Sequence, residues 1–161
     1  DRDPPPPGCD TPQEPLKNPE KCLVDSFGVF VATGGSDSND GTKGKPFKTI
    51  GKALGAGKDR VVVCEGTYTE SIDIKADVEI YSGVTCDFTK AGGKAKIVAT
   101  KPDYAVSIAA PANAVRMHSL EVEAIDGRRV QRLELRANYG RMRPRRRQAA
   151  SHRGSARSSV G

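Results

Sequence analysis

The sequence predicts an all-β chain wound as a stacked solenoid. Three observations carry this. From residue 61 to about residue 125 the apolar residues come in runs of three to five, separated by turns of Gly, Asp, Asn, Pro or Lys. Hairpin signals such as Asn-Gly are missing between the runs. The side chains expected inside are small or branched aliphatics, which stack well coil upon coil, and the 161 residues include no Trp, four Tyr and four Phe. On pattern alone an antiparallel sandwich remains the alternative.

Taken in order, Gly28-Val29-Phe30-Val31-Ala32 reads as a short strand. Thr33 to Gly44 is a polar turn rich in Gly, Ser, Asp and Asn. Pro46 then opens a helical stretch, Phe47 to Ala56, in which Phe47, Ile50 and Leu54 form one apolar stripe. Gly55 and Gly57 suit its C-terminal end. This helix is expected to cap the open N-terminal end of the solenoid, since stacked repeats need a cap. Val61-Val62-Val63-Cys64 is a run of buried type ending before Gly66. Alternation follows in Ser71-Ile72-Asp73-Ile74 and Val78-Glu79-Ile80-Tyr81. Lys96 to Ala99, Ala105 to Ile108 and Ser119 to Glu123 continue the series.

Charge divides the chain. The formal net charge is +6, but residues 1–126 carry 15 basic and 19 acidic side chains, net −4. Residues 127–161 carry 11 Arg and one acid, Glu134, net +10. Such a run repels itself and has little to bury, so this tail is expected to be disordered. Arg, Ala, Pro, Gly and Ser are also what GC-rich codons give in a shifted frame, and the coding DNA tests that origin. The expected organisation is a Pro-rich leader over 1–27, the β domain over 28–126 with its capping helix near 47–56, and the basic tail over 127–161. Nucleic acid is not the expected partner, because the positive charge is absent from the folding body.

Four cysteines, Cys9, Cys22, Cys64 and Cys86, allow three pairings. The expected one is Cys9–Cys22, pinning the leader, with Cys64–Cys86, whose spacing is about one coil. No CxxC occurs and neither His lies at zinc-finger spacing, so structural disulfides are favoured over zinc. An even count suits an oxidising, exported environment. No segment is apolar enough to span a membrane. The Pro4-Pro5-Pro6-Pro7 run favours an extended polyproline segment, as in a spacer tethering a domain to a surface.

A family resemblance adds to this. Gly35-Ser36-Asp37-Ser38-Asn39-Asp40-Gly41-Thr42, then Lys45-Pro46-Phe47-Lys48-Thr49-Ile50 and Ala53, resemble the opening signature of secreted bacterial right-handed parallel β-helix proteins. These are pectate-lyase-like proteins with a DUF1565-type N-terminal region. Val61 to Cys64, Gly66-Thr67-Tyr68-Thr69-Glu70, Ile72, Val78, Ile80, Tyr81 and Gly83 continue the likeness over roughly residues 28–125. The cysteines resemble those of myxobacterial-type exported lipoproteins of this class. The resemblance implies a right-handed parallel β-helix, secreted or at the cell surface, and a lipid anchor fits it. It does not imply an activity, because one fold hosts lyases, hydrolases and inactive members. Residues 61–125 supply two to three coils, so the domain looks like a shortened helix, with Val130, Leu133 and Leu135 available for one more strand. An open last coil would favour self-association.

Candidate chemistry is sparse. A calcium-dependent polysaccharide lyase needs clustered carboxylates and a basic residue. Glu70, Asp73, Asp77 and Glu79 are the nearest carboxylates. Asp73 and Glu79 alternate with the buried isoleucines and are expected outside, sharing an outer face. Asp37, Asn39 and Asp40 resemble part of a calcium loop but lack the EF-hand spacing and the distal Glu. Capping of their own turn explains them better. His118 shares the parity of Leu120 and Val122, which predicts a partly buried, hydrogen-bonded imidazole. No catalytic residue and no resident cofactor are expected, calcium being the one ion for which ligand types are present. The function expected is a non-catalytic exported structural, adhesion or carbohydrate-binding module, with Glu70, Asp73, Glu79, Tyr68 and Tyr81 facing a polysaccharide or cell-surface ligand. The alternatives are an N-terminal fragment of a polysaccharide lyase or glycoside-active enzyme, and nucleic-acid binding through the tail.

Overall fold

A computed structural model describes residues 6–11 and 14–125, and the backbone of residues 129–130. The fold is all-β with parallel sheets. After a 3-10 turn at Pro15–Lys17 and a one-turn helix, α1 (Pro19–Cys22), come β1 (Val29–Val31) and α2 (Ile50–Leu54). Eight strands follow: β2 (Arg60–Cys64), β3 (Gly66–Thr69), β4 (Ile72–Ile74), β5 (Val78–Val84), β6 (Ala95–Val98), β7 (Val106–Ile108), β8 (Val115–His118) and β9 (Leu120–Glu123). The two-residue β10 (Arg129–Val130) is last.

The strands form three sheets, ordered β1-β2-β5-β8, β3-β6-β9-β10 and β4-β7. Every pairing is parallel except that of β10 with β9. The chain visits the three sheets in turn and comes back beside its own start. Val61 pairs with Ile80, 19 positions on. Ile80 pairs with Met117, 37 positions on. The second circuit is longer at every connection, most of all in the loop between β5 and β6. Parallel pairing excludes the antiparallel sandwich. It also explains the missing hairpin turns, since each strand's partner lies a whole circuit away.

Corners are tight. Gly66, which joins β2 to β3, has φ of +138°, and a Cβ there would lie 2.8 Å from the Thr33 methyl group. Only glycine takes that backbone without strain. Ser119, between β8 and β9, has φ of +57°. It turns the chain and reverses the alternation, so Met117 and Leu120 both pack inward.

Two apolar clusters result. The inner one lies between the three sheets and includes Val61, Val63, Ile72, Ile74, Ile80, Ile97 and Val115. The other lies on the outer face of the β1-β2-β5-β8 sheet, where Phe30, Val62, Cys64, Tyr81 and Val84 are covered by Leu23, Phe27 and Phe88. The residues of β2 alternate between the two, which is why its whole apolar run is buried.

Two expectations need correction. The helix expected over 47–56 covers only Ile50–Leu54. Phe47 is held in strand-like geometry: its N–H donates to Phe30 O and its carbonyl accepts from Ala32 N. The Thr49 side chain, accepting from Lys52 N, then starts the helix. The short helix does lie against the inner cluster through Ile50 and Ala53. The leader over 1–27 is not simply a linker. Leu23 and Phe27 are buried on the outer sheet face, because an apolar face there must be covered. Of the expected tail only the backbone of residues 129–130 is described, as β10 beside β9, and the rest, with Leu133 and Leu135, lies outside the described residues.

Candidate functional site

The outer face of the β1-β2-β5-β8 sheet brings together charges that are far apart in sequence. Parallel register sets Arg60, Glu79 and Arg116 side by side on β2, β5 and β8. The next outward-facing row holds Phe30, Val62, Tyr81 and His118. The His118 ring stacks on Tyr81, with centroids 4.8 Å apart and planes 7° from parallel. Its Nε2 donates to Glu79 Oε1 at 2.9 Å. Arg116 Nη1 lies 4.0 Å from the same oxygen. The Glu79 side chain is only 13% exposed, so it meets the Arg116 guanidinium and the His118 imidazole where water screens weakly. Arg60 lies with its guanidinium 5.0 Å from the centre of the Phe27 ring and donates to Phe27 O at 3.5 Å, anchoring this row to the leader.

Beside this row opens a cleft of about 260 Å³, lined by Asp59, Arg60, Asp77, Val78, Glu79, Ala114 and Arg116. Its lining holds the carboxylates of Asp59, Asp77 and Glu79 and the guanidiniums of Arg60 and Arg116. Such a lining supplies both acceptors and donors to a polar, uncharged or weakly charged ligand.

The other expected site residues lie elsewhere. Both Glu70 oxygens accept backbone N–H groups at the start of α2, from Ile50 at 2.8 Å and Gly51 at 2.9 Å. Asp73 sits on the β4-β7 sheet and pairs with Lys101 at 3.1 Å. Asp73 and Glu79 therefore do not share an outer face, since a corner separates β4 from β5 and puts them on different sheets. The Tyr104 hydroxyl, then Lys101, hold the Asp73 carboxyl below its ordinary value. Asp77 accepts from the backbone of Asn113 and Ala114, which lowers its carboxyl as well.

Both tyrosines are buried rather than facing a ligand. Tyr68 is 3% exposed, pointing into the inner cluster while Thr67 and Thr69 take the outside of β3. Its hydroxyl donates to Cys64 O at 3.0 Å. Burial, then the Glu70 charge, push that hydroxyl's pKa up. Tyr81 does point outward, but the leader covers it, with the Phe27 ring 5.4 Å away. His118 is partly buried and hydrogen-bonded, as expected, but the turn at Ser119 places it on the outer face, opposite to Leu120 and Val122.

The Asp37 to Asp40 loop is tied by its own backbone. Asp37 accepts from Lys48 N, Thr49 N and the Thr49 hydroxyl, each at 2.9 Å. Burial pushes its carboxyl up, but the Thr49 and Lys48 hydrogen bonds outweigh this and lower it. Asn39 Nδ2 donates to Pro46 O, and Asp40 accepts from the Thr42 hydroxyl and N–H. No group of three or more His, Cys, Asp or Glu among the described residues stands at metal-holding distances.

Both cysteine pairs are disulfides, Cys9–Cys22 and Cys64–Cys86. No helix among the described residues is long and apolar enough to cross a membrane.

Sequence reasoning missed the Arg116 side of the charged row. Only the register of β5 against β8, set over 37 residues, brings Arg116 to Glu79. The usable signal was the match between Arg60-Val61-Val62, Glu79-Ile80-Tyr81 and Arg116-Met117-His118, each a charge followed by an apolar inward residue.

The model of the DUF1565 family, described as a protein of unknown function, matches residues 33–119, just over half of the chain. The chain belongs to this family. The matched region runs from the turn after β1 to the turn after β8, so the DUF1565 region contains both the helix α2 and the charged row. The chain is also 45% identical over 49 residues to the uncharacterized protein YwoF of Bacillus subtilis (strain 168), over 29% of this chain and 10% of that protein. No solved structure matches it.

Proposed function

We propose that this DUF1565 chain folds as a right-handed parallel β-helix and works as a non-catalytic exported module that binds carbohydrate on its outer surface. Three parallel sheets visited in turn support the β-helix, and crossovers between parallel strands are right-handed in about 98% of cases. Two disulfides support an oxidising compartment. The observation that carries the non-catalytic reading is the use to which the carboxylates are put. Glu70 and Asp77 accept backbone N–H groups, Asp73 pairs with Lys101, and Glu79 pairs with His118. Each already stabilises the fold, and a lyase would need several of them free and convergent.

The cleft beside Glu79 is the binding surface in this reading. Arg60 and Arg116 supply planar forks of donors, and Asp59 lines it with a carboxylate acceptor, a combination that suits sugar hydroxyls. The test is titration with neutral glycans and a polyuronate, with and without calcium, followed by calorimetry and by ultraviolet absorbance. Saturable binding without new absorbance is expected, weakened in Arg116→Ala. Appearance of an unsaturated product would overturn the non-catalytic reading in favour of a lyase. Equal binding by Arg116→Ala would move the ligand away from this cleft.

A further inference from the structure

Both disulfides serve one of the two apolar clusters. The inner cluster contains no cysteine. Cys64 belongs to the outer cluster and meets inner-cluster Tyr68 at its hydroxyl. Cys22 is fully buried immediately before Leu23, the first leader residue of the outer cluster. We propose that the leader, residues 6–11 and 14–27, and the loop 85–94 form a lid over the outer face of the β1-β2-β5-β8 sheet, and that this lid is a redox-sensitive element that opens independently of the stacked strands.

Besides its cystines and the side chains of Leu23, Phe27 and Phe88, the lid is held by a few hydrogen bonds: Arg60 donates to Phe27 O, Lys43 N–H to Asp25, Gly92 N–H to Gly83 O and Gly93 N–H to Glu65. Among the described residues of the leader, regular structure amounts to a three-residue 3-10 turn and the four-residue α1. Helices of that length have no stability of their own. Its attachment comes from Leu23 and Phe27, and the Cys9–Cys22 bridge closes the turn that presents them. In the loop, Phe88 is fully buried, edge-on to Phe30 at 4.8 Å, and the Cys64–Cys86 bridge fastens the loop to β2. By contrast, β2 and β5 are hydrogen-bonded on both sides, and the inner cluster is continuous across all three sheets.

The bridges are also reachable. Cys86 is exposed and Cys9 is half-buried, while their partners are fully covered. A dithiol reductant attacks the accessible sulfur as thiolate, forms a mixed disulfide and releases the Cys64 or Cys22 thiolate, which takes up a proton. The reductant's second thiol then closes on the first, freeing Cys86 or Cys9. Each cystine gains two electrons and two protons, and the dithiol becomes a cyclic disulfide.

Hydrogen exchange on the full chain, oxidised and then reduced with dithiothreitol, tests this. Loss of a bridge closing a loop of about 15 residues corresponds to about a 100-fold change in an opening equilibrium. Reduction should therefore speed exchange about 100-fold at Leu23, Phe27 and Phe88, whose N–H groups bond to Pro19, Val24 and Thr85. Ile72 and Val78, bonded to Ala105 and Ala114, should be unchanged. Equal acceleration at both sets, or none at either, overturns the proposal. A second variant removes dependence on reductant: oxidised Phe27→Ala should speed exchange at Leu23 while leaving Ile72 and Val78 alone. Acceleration at Ile72 equal to that at Leu23 would show that the lid is not a separate unit.

Discussion

The two faces of one sheet are built from different chemistry. Its inner face buries Val29, Val31, Val61, Val63, Val78, Ile80 and Val115, all branched aliphatics. Its outer face buries Phe30, Val62, Cys64, Tyr81 and Val84 under Phe27 and Phe88. Aliphatic side chains repeat from strand to strand because each inward position faces the same narrow space between three sheets. The outer face has no opposing sheet. Its cover is irregular chain, and irregular chain fills unequal gaps best with large rings, at tilted or edge-on angles. Regular burial is thus carried by pattern, and irregular burial by a few large groups together with covalent bridges.

The largest expected effect falls on the inner face. Ile80→Ala should lower global stability by about 3 kcal/mol, the middle of the usual range for such a truncation. Chemical denaturation measures it, and a loss under about 1 kcal/mol would mean the inner cluster does not hold the fold. Leu23→Ala removes a fully buried side chain of the same size from the lid. Because the lid can open without the stack, its global cost should be less than half that of Ile80→Ala. Similar denaturation midpoints for the two variants would erase the distinction between the faces.

Glu70→Ala comes next, at about 1 kcal/mol, since α2 loses a charged acceptor from its first turn. The same denaturation curves report it, and an unchanged midpoint would show that α2 does not depend on Glu70. Acid then separates loops from strands. Asp40, Asp77 and Asp87 carry lowered carboxyl values, Asp87 at about 2 through the Thr85 and Thr89 hydrogen bonds. A carboxyl lowered on folding stabilises the fold fully above its unfolded value, near 3.9, and loses that contribution as pH falls through the lowered folded value. Melting temperature should therefore hold steady from pH 7 to about 5 and fall below about 4. Asp87→Asn should make that fall shallower, and an unaltered acid limb would show that the Thr85 and Thr89 bonds do not act. The smallest effect on stability belongs to Arg116→Ala. Its side chain is 57% exposed, so the expected change is within about 0.5 kcal/mol. A larger loss would show that the charged row supports the sheet as well as lining the cleft.

Much of this molecule is legible locally. Val61 to Cys64, Ile72 to Ile74 and Val78 to Tyr81 announce themselves as strands because alternation and β-branching are properties of adjacent residues. The turn over Asp37 to Asp40 is legible for the same reason, since Asx side chains cap backbone within reach. Local pattern overextends the helix, because Phe47 fits a helical stripe equally well. Its backbone, however, is claimed by Phe30 and Ala32, which lie 15 or more residues earlier. Tyr68 and Tyr81 were misplaced for opposite reasons. The first lies inside by alternation, and the second lies outside but under a cover that no local pattern describes.

The sequence alone determined that residues 61–123 make short strands without hairpins, where the basic residues concentrate, and which glycines and Asx residues turn the backbone. Each follows from chemistry within a few positions. Tertiary structure alone decided that the leader covers a sheet, that the Cys64–Cys86 bridge ties the covering loop to β2, and that Arg60, Glu79 and Arg116 form one row. Those outcomes depend on registers of 19 and 37 residues, set by the length of whole circuits rather than by any neighbour in the chain.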